Sequence, residues 1–385
     1  MYNPLISYED NLLHGPDASW TRSGVFPQLT YSGPPAFSVL GTPLHLPLGV
    51  PAGPLLSSAF VKVALDAGFC MPVYKTVRSR SWQSHPWPNV LRVQRFTDSE
   101  DDHFSARPHV DVVPLSHEDV RNPESQRQLS ITNAFGVPSL APEAWSSDFA
   151  SLPHSSFSDG RMTVLSFQGS RAPQSTWLDF LNDTVKAAQW AAQTVRRCGG
   201  TILEMNVSCP NEAGAPIFTD ATALRETLRA AAEGLSETPE IKLIIKLGVL
   251  PSESILPTIE SVSKYAHGIS AINTVSATIL TPDGQRALGS GAEHGGICGA
   301  VIRDQALKIV SQFHQARCAL GLSAKDFALI GVGGCATADD FQRFLEAGAD
   351  VVHAATAAMW NLDFASECAR ALGVHLSHVS EKDRS

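Results

Sequence analysis

Polar residues with chemical potential recur directly after short apolar runs in this chain. Lys75 follows Val73-Tyr74 and Lys246 follows Ile244-Ile245. An ammonium is costly to bury unless something pairs with it, so a lysine at such depth implies an anionic partner; a side chain snorkelling at a rim is the other reading. A third run ends in Asn206-Val207-Ser208-Cys209-Pro210-Asn211, with Glu204 just before it. An unperturbed thiol titrates at about 8.5 and is brought toward neutrality by hydrogen-bond donors or cations, which allows proton exchange, although a cysteine after a strand also serves as a small buried hydrophobe. Asn273-Thr274, Gly333-Gly334 and Thr356 close further runs with hydrogen-bonding groups or with glycines able to admit a phosphate, a glycine pair alone being more often a turn. The seven cysteines, Cys70, Cys198, Cys209, Cys298, Cys318, Cys335 and Cys368, show no CxxC spacing and no metal-ligand cluster, so no metal site is expected.

The elements that carry these residues alternate. Eight runs rich in Val, Ile and Leu, at 46–51, 70–76, 163–168, 201–207, 242–247, 268–274, 327–331 and 350–355, read as parallel strands buried on both faces. Stretches of helical period lie at 57–67, 178–197, 221–234, 252–265, 303–320, 337–347 and 363–372, with Ser57 and Thr337 as N-cap candidates and Gly68, Gly199, Gly321 and Gly348 as C-cap glycines. Eight alternating units predict an α/β fold closed as a (β/α)8 TIM barrel, in which chemistry sits at the carboxyl ends of the strands. Two segments stand outside the repeat. An N-terminal extension (1–40), rich in Pro, Gly and Ser, is expected to wrap the barrel floor as turns or a hairpin, and a long polar insertion follows the second strand at 81–130. One domain over 1–385 is the expectation.

Composition narrows the partners. A formal net charge of -9 with 17% charged residues gives no basic field for nucleic acid or an anionic membrane surface. No apolar run is long enough for a membrane span and no signal peptide opens the chain, so a cytoplasmic protein in a reducing compartment is expected. Only Cys70 precedes Cys198, leaving no place for a cysteine-ligated iron-sulfur domain, and electrons are expected to leave through a soluble acceptor or a partner.

Taken together, Asn206-Val207-Ser208-Cys209-Pro210-Asn211, Lys75-Thr76, Thr132-Asn133-Ala134-Phe135-Gly136-Val137-Pro138 and Gly295-Gly296-Ile297-Cys298-Gly299 resemble the dihydroorotate dehydrogenase family, soluble class, in the same order over 46–360. The resemblance implies FMN as cofactor and oxidation of dihydroorotate to orotate in pyrimidine biosynthesis, with Cys209 as the base that takes a proton while hydride passes to the flavin on the opposite ring face. It implies that Asn133, Asn206, Asn211 and Asn273, with Thr274, bracket the pyrimidine ring, since a carboxamide offers both donor and acceptor; a lone asparagine is elsewhere a turn residue. Gly136 and Val137 would meet the substrate carboxylate through their backbone. Lys75 would lie by flavin and substrate, Lys246 near the flavin, and Ala52, Gly53, Thr76 and Asn206 against the cofactor. Gly333-Gly334 and Ala355-Thr356 would take its phosphate, and Gly295-Gly296 would close over it. A soluble acceptor such as fumarate would reoxidise the flavin, and a homodimer is left open. Ala355 stands where the family usually has glycine, and Ser139 where asparagine is frequent. Asn273-Thr274-Val275-Ser276 also looks like the dihydropyrimidine dehydrogenase catalytic domain, so a dihydropyrimidine or dihydrouracil ene-reductase, or a catalytically silent barrel used as a binding module, remain as alternatives.

Overall fold

A computed structural model describes residues 1–97, 108–172, 174–208 and 217–378. Eight parallel strands close into a barrel: β1 (Leu48–Val50), β2 (Met71–Val77), β3 (Val164–Phe167), β4 (Ile202–Asn206), β5 (Lys242–Leu247), β6 (Gly268–Ala271), β7 (Ala328–Val332) and β8 (Val351–His353). Each pairs with the next, and β8 returns to β1 through Val352↔Leu48 and His353↔Gly49. Their burial explains the sequence signal: all seven residues of β2 and all five of β7 are buried, so apolar runs lead the strands and in β2 the polar pair Lys75-Thr76 comes only near the carboxyl end.

The surrounding helices are α1 (Ser58–Asp66), α2 (Pro142–Ala150), α3 (Trp177–Arg197), α4 (Ala221–Gly234), α5 (Ser252–Val262), α6 (Arg303–Ala319), α7 (Ala338–Glu346) and α8 (Phe364–Ala371). Local chemistry fixes their ends. Thr176 and Asp179 start α3 with a reciprocal capping box, and Thr337 with Asp340 does the same for α7. Gly68, Gly199, Gly321 and Gly348 all follow helices with positive φ, as expected of C-terminal caps. Ser57 stands at the N-cap of α1 without a side-chain bond; Ser58 instead binds the Asp148 carboxylate of α2. Helix α2 was absent from the sequence reading, although Pro142 at its first turn and the buried pair Trp145 and Phe149 carry a helical signal.

The insertion at 81–130 is more than a polar excursion. Its strands Arg92–Thr97 and His109–Val113 join Ser130–Asn133, Val275–Leu280 and His294–Gly299 in a second closed sheet of five strands, set beside the barrel. Residues 275–299 are thus a second excursion that the strand count did not separate, and the strand predicted to reach residue 274 stops at Ala271. The N-terminal extension reaches the floor only in part. The hairpin Phe37–Val39 with Thr42–Leu44 lies there, its Thr42 hydroxyl 3.2 Å from that of Thr201 below β4. Tyr2, in contrast, lies at the mouth: Trp360 Nε1 donates to the Tyr2 carbonyl at 3.1 Å, and the Tyr2 and Phe135 rings meet edge to face at 6.0 Å. No helix among the described residues is long and apolar enough to cross a membrane.

Gly49, at the closing seam, has no room for a side chain. A Cβ there would lie 2.0 Å from the Met71 carbonyl oxygen and 2.8 Å from the His353 ring. Gly49→Ala is therefore expected to destabilise the fold by about 1–3 kcal/mol or more, as overpacking against rigid backbone does. A lowered urea midpoint at constant m-value would show it, and an unchanged midpoint would contradict the packing at this seam.

Candidate active site

The carboxyl ends of the barrel strands open into one cavity of about 1320 Å³, counted to its solvent mouth. The barrel contributes Ala52 and Gly53 after β1, Lys75 and Thr76 from β2, Glu204 and Asn206 from β4, Lys246 from β5, Asn273 and Thr274 after β6, Gly333 and Gly334 after β7, and Ala355 and Thr356 after β8. The second sheet contributes Thr132, Asn133, Cys298 and Gly299, and Phe135, Gly136, Val137, Tyr2 and Met359 complete the wall.

A chain of amides and hydroxyls spans the floor of this cavity. Asn206 Nδ2 donates to Gln168 Oε1 at 3.2 Å, while the Ser208 N–H and hydroxyl both donate to Asn206 Oδ1 at 3.1 and 3.0 Å. Asn273 Nδ2 donates to Ser208 Oγ at 2.7 Å, and Asn273 Oδ1 accepts the Thr274 N–H at 3.0 Å. Side chains held at both ends keep one orientation, which a site needs when it must match a planar ring.

Beneath lies an interior layer of charge. Glu204 and Lys246 are 1% and 5% exposed, and the Ser270 hydroxyl accepts from Lys246 Nζ at 3.5 Å. Burial pushes the Glu204 carboxyl up, with the Lys246 charge and hydrogen bonds from Ser166 and Ser270 opposing, and Oε1 has no hydrogen-bond partner. Burial lowers Lys246 to about 8, with Glu204 opposing. His353, also enclosed, falls to about 3 through burial and the nearby Lys246 charge, so it stays neutral. The Cys298 thiol is pushed up to about 11 by burial, against a Thr356 hydroxyl that donates to its sulfur at 3.5 Å, and it remains protonated near neutrality. Among the described residues no group of three or more His, Cys, Asp or Glu is placed to hold a metal.

A family model described as dihydroorotate dehydrogenase matches residues 181–373. Over 370 residues, 94% of each chain, the sequence is 34% identical to the dihydroorotate dehydrogenase of Dictyostelium discoideum. The chain belongs to the dihydroorotate dehydrogenase family. Shorter matches link it to the catalytic subunit of dihydroorotate dehydrogenase B (NAD(+)) of Desulforudis audaxviator, 31% identical over 48% of this chain and 57% of that one. Another is the putative dihydroorotate dehydrogenase A (fumarate) of Solibacter usitatus, 34% identical over 41% of this chain and 48% of that one.

For a dihydroorotate dehydrogenase family member, the positions singled out from sequence fall into three groups. Ala52, Gly53, Lys75, Thr76, Asn133, Gly136, Val137, Asn206, Lys246, Asn273, Thr274, Gly333, Gly334, Ala355 and Thr356 all line the one cavity. Cys209 and Asn211 lie outside the described residues. Gly295 and Gly296 do not line the cavity: they are internal to the strand His294–Gly299, where a Cβ on Gly296 would sit 2.2 Å from Thr274 Oγ1. Their place against the cavity is taken by Cys298 and Gly299 of the same motif. Ser139 supports the backbone instead of facing a ligand, accepting from the Arg78 N–H at 3.0 Å and donating to the Leu140 carbonyl at 2.8 Å.

Sequence reasoning missed Tyr2, Gln168, Ser208 and Arg78. Two left a usable trace: Ser208 stands within the Asn206–Asn211 motif, and Arg78 is a charged residue continuing the run of β2.

The depressed Lys246 has a measurable sign. Between about 8 in the folded chain and 10.5 in the unfolded one, the unfolded state holds the extra proton. Raising pH through that window therefore favours the folded state through this group, and below it the burial penalty is fully present. The stability difference between the parent and Lys246→Met should rise by up to about 1.4 kcal/mol per pH unit there. Denaturant unfolding at several pH values measures it, and a flat difference would mean that Lys246 is not desolvated.

Proposed function

We propose that this chain, acting as one flavin-binding domain, oxidises dihydroorotate to orotate with FMN and passes the electrons to a soluble acceptor such as fumarate. The observation that carries the reading is the gathering of two lysines, three carboxamides and a glycine turn in one cavity. The site has features that fit the cofactor. Gly333 and Gly334 adopt φ of 134° and 72°, backbone that other residues rarely reach, and both line the cavity, where their N–H groups would take the phosphate. The N-terminus of α7 is not the phosphate site, because its own Asp340 accepts the Ala336 and Thr337 N–H groups. Lys246 would place positive charge against the flavin ring, Ala52 and Gly53 would back that ring, and Lys75 would stand between cofactor and substrate.

Bound FMN supplies the hydride acceptor. The chain's residues do the remaining work. Asn133, Asn206, Asn211 and Asn273, with Thr274, bracket the pyrimidine edges, and the Gly136-Val137 backbone takes the carboxylate. Cys209, as thiolate, removes a proton from one ring carbon while the hydride leaves the neighbouring carbon, and the C–H electron pair freed at the first carbon becomes the new double bond.

The purified protein should be yellow, and anaerobic dihydroorotate should bleach it. Cys209→Ala should retain the flavin yet slow that bleaching by about 10²–10⁴-fold, the usual worth of a positioned base. Bleaching at the parental rate would remove Cys209 from the mechanism, and a colourless protein with no flavin affinity would remove the whole reading. Dihydrouracil, which lacks the carboxylate, should be a markedly poorer substrate.

A further inference from the structure

Arg78 does not line the cavity, yet it touches the loop that does. It leaves β2 just past Lys75-Thr76 and is 1% exposed. Its Nε donates to the Val137 carbonyl at 3.0 Å, and one terminal nitrogen donates to the Gly136 carbonyl at 3.4 Å. The other terminal nitrogen reaches the Gly169 carbonyl and Ser170 Oγ, each at 3.4 Å, beyond β3. The Trp82 ring stacks on the guanidinium at 4.4 Å, and Trp145 Nε1 holds the Arg78 carbonyl at 3.1 Å. The guanidinium is thereby fixed in place and joins three segments of the rim.

The loop it grips has an unusual backbone. Gly136 and Val137 take φ of 74° and 52°, a region a β-branched valine enters only when its surroundings hold it there. In a trans peptide the C=O and the following N–H point opposite ways. With the Gly136 carbonyl drawn to Arg78, which does not line the cavity, the Val137 N–H is turned away from the guanidinium, and Val137 itself lines the cavity. A cation bonded to that carbonyl also polarises the peptide and strengthens its N–H as a donor.

We infer that Arg78 is a positioning residue for substrate recognition, which sets and polarises the Gly136-Val137 peptide so that it receives a carboxylate. The inference rests on the function proposed above and adds to it the residue that selects carboxylated over uncarboxylated rings. Arg78→Lys keeps the charge but loses the fork that spans two carbonyls, and Arg78→Met loses both.

The test uses flavin-loaded protein and measures orotate and uracil binding by perturbation of the flavin spectrum, together with dihydroorotate kinetics. Orotate Kd and dihydroorotate KM should rise about tenfold in Arg78→Lys and about a hundredfold in Arg78→Met, with kcat changing far less and uracil binding within about twofold of the parent. Orotate binding within twofold of the parent in Arg78→Lys overturns the inference even if Arg78→Met does not fold, as does an equal loss for orotate and uracil. A parent protein that binds no orotate overturns the proposed function and this inference with it.

Discussion

The backbone hydrogen bonds between β8 and β1 are what turn eight strands into a site. An open sheet would leave the strand ends spread along an edge; closure points every one of them at a single mouth. Closure also creates an interior from which water is excluded. The register then decides which groups share that interior: Glu204 lies level with Ser166, and Lys246 level with Ser270. Neither charge could be held there alone, and each relieves part of the other's desolvation.

Much of this was legible in the sequence, for a physical reason. Parallel strands covered on both faces are predominantly apolar, and polar residues placed for chemistry cluster toward their carboxyl ends. That single rule located β1 to β8 and with them Lys75, Asn206, Lys246 and the Gly333-Gly334 turn. The second sheet obeys no such rule. Ser130–Asn133 pairs with His294–Gly299, more than 160 residues away in the chain, and no local pattern announces a partner at that distance. Gly295 and Gly296 were expected to close over the cofactor; here they are strand residues made small by the Thr274 side chain and by Ile279 across the sheet. Ser208 and Gln168 escaped for a related reason, since their role is to orient Asn206 and Asn273 and only the folded distances show it.

The two sheets divide the labour of the cavity. The barrel supplies charge and fixed carboxamides from below. The second sheet supplies Thr132, Asn133 and the Cys298-Gly299 pair from the side, so the walls come from two separately paired sheets, tied together at the Thr356 hydroxyl on the Cys298 sulfur. The local field also opposes the global one: the chain carries a formal net charge of -9, yet two buried lysines face the cavity. An anion approaching from solvent meets attraction only at close range, where screening by salt is weakest.

The contacts most remote in sequence bear on the order in which the fold closes. The Trp360 indole and the Arg22 N–H bind backbone across more than 330 residues, and Leu29–Tyr31 pairs with Leu376–His378 as a two-stranded ribbon. Contacts between residues so far apart in sequence form only after most of the intervening chain is compact, because the cost of closing the loop must be met first. Pairing so remote in sequence is slow, so the Leu29–Tyr31 ribbon and the Tyr2–Trp360 contact are expected to be among the last parts of the fold to settle.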